Sequence, residues 1–210
     1  MAGILSFTKL AGGFLGTDDS FARLVSLACH DLRTPLATVS GFAHTLENLE
    51  ELGPPADRYV EMILAGAEQM AELLEELALV SRIEDGRYEP HLIDGDTRVL
   101  VDAAAARLGE RGAASGEGAG VRIDREPTER ALAALALCAA RHGGVDTVEL
   151  RAEGAEIAIS PVTEEAAPVV LGQELKDLGA IVAVRFIHAV RGSLELEGET
   201  LRVRLDARNT

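Results

Sequence analysis

The chain has 210 residues, 47% of them apolar, no Trp, and a formal net charge of −15. That apolar share folds one large domain or two small ones, with a core built mostly from Ala, Leu, Val and Ile. The acidic balance excludes nucleic acid and an anionic membrane surface as partners, since both need clustered Lys and Arg.

The first 16 residues, "MAGILSFTKLAGGFLG", are short apolar pieces interrupted by Gly12, Gly13 and Gly16. They are too short and too broken to span a bilayer, and a signal peptide needs a longer apolar run. The expectation is a cytoplasmic protein without membrane insertion. Cys29 and Cys138 belong to no metal-ligand spacing and sit among apolar residues, so both read as free buried thiols.

"TDDS" offers capping oxygens and an acidic first turn ahead of a long helix from Phe21 to Leu49. Its seam is Val25, Cys29, Leu32, Leu36, Val39, Ala43 and Leu46, in alternating steps of four and three. "ELGPP" ends it. A second helix, Ala56 to Ile83, carries the seam Tyr59, Ile63, Gly66, Met70, Leu73, Leu77 and Val80, and Gly86 stops it. Joined by a short loop, the two form an antiparallel hairpin. One hairpin has too little interior to bury both seams, so the expected assembly is a homodimeric four-helix bundle through residues 17–85.

Off the seam, His30 shares its face with Thr34, Ala37, Gly41 and Thr45, with Thr38 at the edge. The residues around it are small, which suits either a surface that another protein's backbone must approach or plain helix packing beside an ordinary exposed histidine. Pro35 sits inside the helix, where a proline costs about 3 kcal/mol.

After Gly86 the pattern changes. "GDTRVLVDAAAARLGERG" reads as a helix, "GAASGEGAG" as a flexible connection, "VRID" as a short strand and "PTERALAALALCAARHGG" as a helix stopped by Gly143. Alternating strands follow in "TVELRA", "EIAIS" and, after a helix from Asp177 to Ser193, "SLELEG" with "TLRVRLDA". The order fits a mixed sheet covered on one face by three helices. The overall expectation is α+β: an N-terminal segment 1–16, a hairpin 17–86 and a small α/β sandwich 87–210.

His30, Asp31, Leu32, Arg33, Thr34, Pro35 and Leu36 resemble, position for position, the H-box of sensor histidine kinases. "LLEELALVSRIEDGRYE" is similar to the end of that family's second helix. The resemblance implies a dimerisation and histidine-phosphotransfer hairpin. It implies His30 as phosphoacceptor, Asp31 orienting the imidazole, and Thr34 positioning water when such proteins dephosphorylate a partner. It also implies that Pro35 bends the helix and frees a carbonyl, opening a groove for a docking partner. Arg33, or a lysine of the partner, could supply positive charge. The expected docking face is Thr34, Ala37, Thr38, Gly41 and Thr45.

The second half resembles that family's ATP-binding domain, with its ligand positions changed. Cys138 stands where the family carries a magnesium-holding asparagine, and "PVTEEAAPVV" lacks the adenine-binding Asp and its glycines. The interval from Pro161 to Leu171 is too short for an ATP lid. Gly179, preceded by Asp177, is what remains of a phosphate-cradling turn, with Glu164, Glu165 and Glu174 nearby. The expectation is poor ATP binding and no cofactor of its own, a receiver-domain partner bringing Mg²⁺.

An intact acceptor hairpin on a degenerate nucleotide domain is similar to the ATP-independent histidine phosphotransferases. These pass phosphoryl groups between receiver-domain aspartates of response regulators, or of a hybrid or other histidine kinase. Two alternatives stand beside it: a divergent histidine kinase or receiver phosphatase, and a non-catalytic dimeric pseudokinase scaffold. His44 lacks an acidic neighbour and the following motif. His91, His142 and His188 fall at element ends or in loops, and none of the four is assigned a role.

Overall fold

The computed structural model describes residues 19–48, Gly53 and 56–205, with the side chains of 19–24, 26–28 and Asp31 excepted. The expected segment 1–16, Thr17 and Asp18 of the capping sequence, and the prolines of "ELGPP" lie outside the described residues. The chain divides into two compact units at Gly86–Arg87.

The first unit is the hairpin. Helices α1 (Asp19–Glu47) and α2 (Ala56–Glu84) pack along each other. Gly86, at φ +69°, takes the left-handed backbone that follows the end of α2. On α2 the buried positions are Val60, Ala67, Leu74 and Ser81, one every seventh residue. Among the described side chains of α1 they are Cys29 and Ala43.

Much of the expected seam stays open within one chain. Leu32, Val39, Leu46, Tyr59, Ile63, Met70 and Leu73 are each 41–59% exposed. The physical reason is geometric: two helices touch along one narrow line. That line runs one residue to the side of the α2 seam, through Val60, Ala67 and Leu74. An open apolar groove of about 400 Å³ remains, lined by Leu32, Pro35, Leu36, Val39, Met70, Leu73 and Leu74.

The second unit has a short ladder and a five-stranded sheet. β1 (Ile93–Asp96) leads into α3 (Thr97–Leu108) and one 3₁₀ turn. β2 (Gly112–Gly118) and β3 (Gly120–Ile123) precede α4 (Arg125–Gly143). β4 (Val148–Gly154) and β5 (Glu156–Ser160) follow, then the single-turn α5 (Ala167–Val170), α6 (Leu178–Ala189), β6 (Ser193–Glu197) and β7 (Thr200–Arg204). β1 pairs antiparallel with β3. The sheet runs β2-β4-β5-β7-β6, and its only parallel pair is β2 with β4. The chain is therefore α+β, a helical hairpin followed by a mixed-sheet domain.

The strands alternate as one-sided strands must. Val148, Leu150 and Ala152 of β4 are buried while Glu149, Arg151 and Glu153 face outward. Across the sheet Ile157, Ile159, Leu201 and Val203 meet Leu132, Leu135, Phe186 and Ile187 in a fully buried core. Each such side chain contributes about 1.5–3 kcal/mol by leaving water. On the opposite face Arg202 donates to Glu153, Glu156 and Glu197 at 2.6–2.7 Å, and Arg204 donates to Glu156 at 2.7 Å.

Four readings from the sequence need correction. "GAASGEGAG" is not a flexible connection but β2 and the start of β3. Its glycines are there for contact. A Cβ at Gly116 (φ +88°) would strike the Ala152 carbonyl, and one at Gly118 would strike the Asp96 carboxylate. The helix read from Gly95 begins at Thr97, because β1 continues through Asp96, whose carboxylate then caps Arg98 N at 2.7 Å. Helix α4 includes Gly143, and its left-handed cap is Gly144 at φ +62°. The stretch 161–170 also contains α5, too short a turn to show a helical period.

Gly116→Ala should therefore cost more than Gly198→Ala, where φ is +60° but a Cβ meets nothing within 4 Å. Backbone strain alone gives about 1 kcal/mol at Gly198, and strain plus collision about 3 kcal/mol at Gly116. Urea denaturation of both variants checks this, and equal losses would contradict the close approach of β2 and β4.

Candidate functional site

Helix α1 carries His30 through its middle without interruption at Pro35. Because proline has no N–H, the carbonyl of residue 31 has no intrahelical donor there. His30 is exposed, as are Arg33, Thr34, Ala37, Thr38, Gly41 and Thr45. At 100° per residue, His30, Thr34, Ala37, Gly41 and Thr45 fall within an arc of about 80°. From His30 to Thr45 the strip is about 22 Å long.

The strip is thin by construction. Thr38 donates its hydroxyl to the Thr34 carbonyl at 3.1 Å, and Thr45 to the Gly41 carbonyl at 2.8 Å. Both hydroxyls are thereby turned onto the helix backbone. A Cβ at Gly41 would meet nothing within 4 Å. The strip is thus separate from the buried line through Cys29 and Ala43. The side chain of Asp31 lies outside the described residues. His44, read as lacking an acidic neighbour, has one a turn further on: its Nδ1 lies 3.2 Å from Glu47 Oε2. Sequence adjacency missed it because helical neighbours are three and four residues apart.

A second cluster lies where α4 ends and α6 begins. Asp177 caps α6, its Oδ1 accepting from Ala180 N at 3.1 Å. Its Oδ2 accepts from Arg141 Nη1 at 2.7 Å and lies 3.6 Å from His142 Nε2. Cys138, one turn before His142, is 1% exposed. Burial, and then the Asp177 charge, push its thiol up to about 12, partly offset by Arg141. His142 therefore belongs to a cluster, although its position at a helix end gave it no role. The signal available in the sequence was the i, i+4 spacing of Cys138 and His142.

The cluster is a poor match for a magnesium-held nucleotide. Mg²⁺ demands hard oxygen ligands, and this corner offers one carboxylate beside a buried thiol and an imidazole. Among the described residues no helix is long and apolar enough to cross a membrane.

Residues 22–86 match the His Kinase A (phospho-acceptor) domain family. The chain is 34% identical over 86 residues to the phosphate regulon sensor protein PhoR of Pseudomonas aeruginosa, covering 40% of this chain and 18% of that protein. It is 34% identical over 71 residues to the sensor histidine kinase TrcS of Mycobacterium tuberculosis, covering 33% and 14%. The matches thus span less than a fifth of those relatives. Among solved structures, full-length ShkA in complex with AMPPNP superposes with a TM-score of 0.64 at 18% identity, covering 89% of this chain and 47% of that one. The histidine kinase AdeS of Acinetobacter baumannii gives 0.57 at 19% identity, covering 86% and 98%. These two likenesses concern the fold.

The hairpin is thus of the phospho-acceptor class. Over residues 22–86 the chain carries a His Kinase A (phospho-acceptor) domain, and in part of its length it is similar to these sensor kinases.

The state of Cys138 gives a direct test of this corner. In the folded protein its reaction with a thiol reagent should stay far slower than that of an exposed thiol at every pH from 7 to about 9, because only a trace of the buried thiol ionises there. Peptide mapping of the labelled chain measures it. Rapid modification of Cys138 in the folded chain would contradict its burial.

Proposed function

We propose that the protein is a dimeric two-component phosphorelay element in which His30 takes a phosphoryl group from the aspartate of one response-regulator receiver domain and passes it to another. The observation that carries this reading is the exposed strip around His30. It is long, free of bulk, and separate from the buried line of the hairpin.

In the transfer, the lone pair of one His30 ring nitrogen attacks phosphorus. The N–P bond forms as the bond to the aspartyl oxygen breaks, and the receiver's carboxylate leaves with the electron pair. Reversal onto a second receiver regenerates His30. Asp31 would orient the imidazole for attack. Arg33 is exposed beside the histidine and would supply charge to the transferring phosphoryl group; Thr34, one turn on, would position water for hydrolysis. Such transfer depends on positioning and charge stabilisation. The receiver brings its own Mg²⁺, so the chain needs neither metal nor nucleotide for this chemistry.

Two further observations support the reading. The apolar groove through Leu36, Met70 and Leu73 suits a second copy of the hairpin, completing a four-helix bundle. The donor set at Cys138 favours transfer from a receiver over transfer from ATP.

Three outcomes are expected. Label from a phosphorylated receiver should appear on the wild-type chain and be absent in His30→Ala, whereas label from ATP alone would favour the kinase reading. Gly41→Trp should block receiver docking and transfer while the dimer persists, because the position is open and off the buried line. Leu36→Glu combined with Leu73→Glu should convert the dimer to monomer, read by light scattering. A wild-type chain that is monomeric at micromolar concentration would overturn the bundle.

A further inference from the structure

We propose that Cys138, His142 and Asp177 form a binding site for a borderline-soft divalent cation of the zinc type, linking α4 to α6. One ligand atom from each of the three residues lies within 4.8 Å of the other two. Around a tetrahedral Zn²⁺, bonds of about 2.0–2.3 Å put ligand atoms roughly 3.3–3.8 Å apart. Side-chain adjustments of about 1 Å close that difference.

The pieces are set by the fold. Cys138 and His142 stand four residues apart on α4, so both project from one face of the helix. Asp177 is held at the N-cap of α6 by its bond from Ala180 N, which leaves Oδ2 turned to the cluster. A separate observation points the same way. His142 Nε2 is buried and makes no hydrogen bond, the nearest acceptor, Asp177 Oδ2, lying 3.6 Å away. A buried polar atom left without a hydrogen bond is destabilising, and a metal bond would satisfy it.

Thiol, imidazole and carboxylate together suit Zn²⁺ and its neighbours in the transition series, and suit Mg²⁺ poorly. Three protein ligands leave a fourth position for a solvent molecule. On binding, the Cys138 thiol releases its proton and the sulfur bonds the metal. Arg141 withdraws from Asp177 Oδ2, which its exposed side chain is free to do. A cysteine–histidine nucleophile is the competing use of such a trio, but a sulfur this buried offers no approach to a substrate. The proposal is independent of the relay reading, because the hairpin contributes no ligand.

The full chain, stripped with chelator and dialysed, is titrated with ZnCl₂ by calorimetry and with CoCl₂ by absorption. Expected are one Zn²⁺ per chain, a thiolate-to-cobalt charge-transfer band, and no competition from excess MgCl₂. Cys138→Ala should abolish the band, and Cys29→Ala should keep it. His142→Gln should weaken Zn²⁺ binding by more than the roughly 10–100-fold that losing an outer-sphere partner costs. Arg141→Gln should tighten it, since a competitor for Oδ2 is gone. His142 and Arg141 are 25% and 59% exposed in their side chains, so both variants should fold, with circular dichroism as the check. Absence of Zn²⁺ binding at micromolar concentration, or binding that Cys138→Ala and His142→Gln leave intact, would overturn the site.

Discussion

The hairpin depends on one constraint: two helices bury one line of side chains, and this sequence supplies more apolar surface than one line can take. Cys29, Ala43, Val60, Ala67 and Leu74 go inside. Leu32, Val39, Ile63, Met70 and Leu73 do not. An exposed apolar groove of this kind marks an interaction face, and in the proposed dimer a second hairpin would cover it. The polar faces are then left free for another task.

On α1 that division puts the histidine strip and the apolar line on different sides of one helix. His30 keeps its exposure because the residues after it on the same face are Thr34, Ala37, Gly41 and Thr45, too small to cover it. Pro35 lies between the two sides, lining the apolar groove while withholding a donor from the turn that begins at the histidine's neighbour. The destabilisation that an internal proline brings is offset along the rest of a 29-residue helix.

The hairpin was legible in the sequence because its signals are long-range repeats: steps of three and four sustained over two helices, ended by glycine and proline. The acceptor motif was legible as a contiguous string. In the second unit the period-two strands from Val148 onward could be read the same way. β2 could not, because its sequence is glycine, alanine and serine, and its strand conformation comes from pairing with β4 and from backbone contacts that only glycine allows. The corner at Asp177 was hidden for a similar reason. Asp177 lies 35–39 positions from the members on α4, and only the packing of α4 on α6 brings it to them. Cys138 could be read as a departure from the motif the second half resembles, but not as a neighbour of His142 and Asp177.

The central claim is that His30 is charged from a receiver and not from nucleotide. The most direct measurement is intact-mass and tandem mass spectrometry of the chain after incubation with a phosphorylated receiver, in buffer freed of nucleotide by apyrase. The account predicts a single acid-labile phosphoryl group on the peptide containing His30, appearing as the receiver loses its own. An unmodified chain, or phosphate located on any other residue, would contradict it.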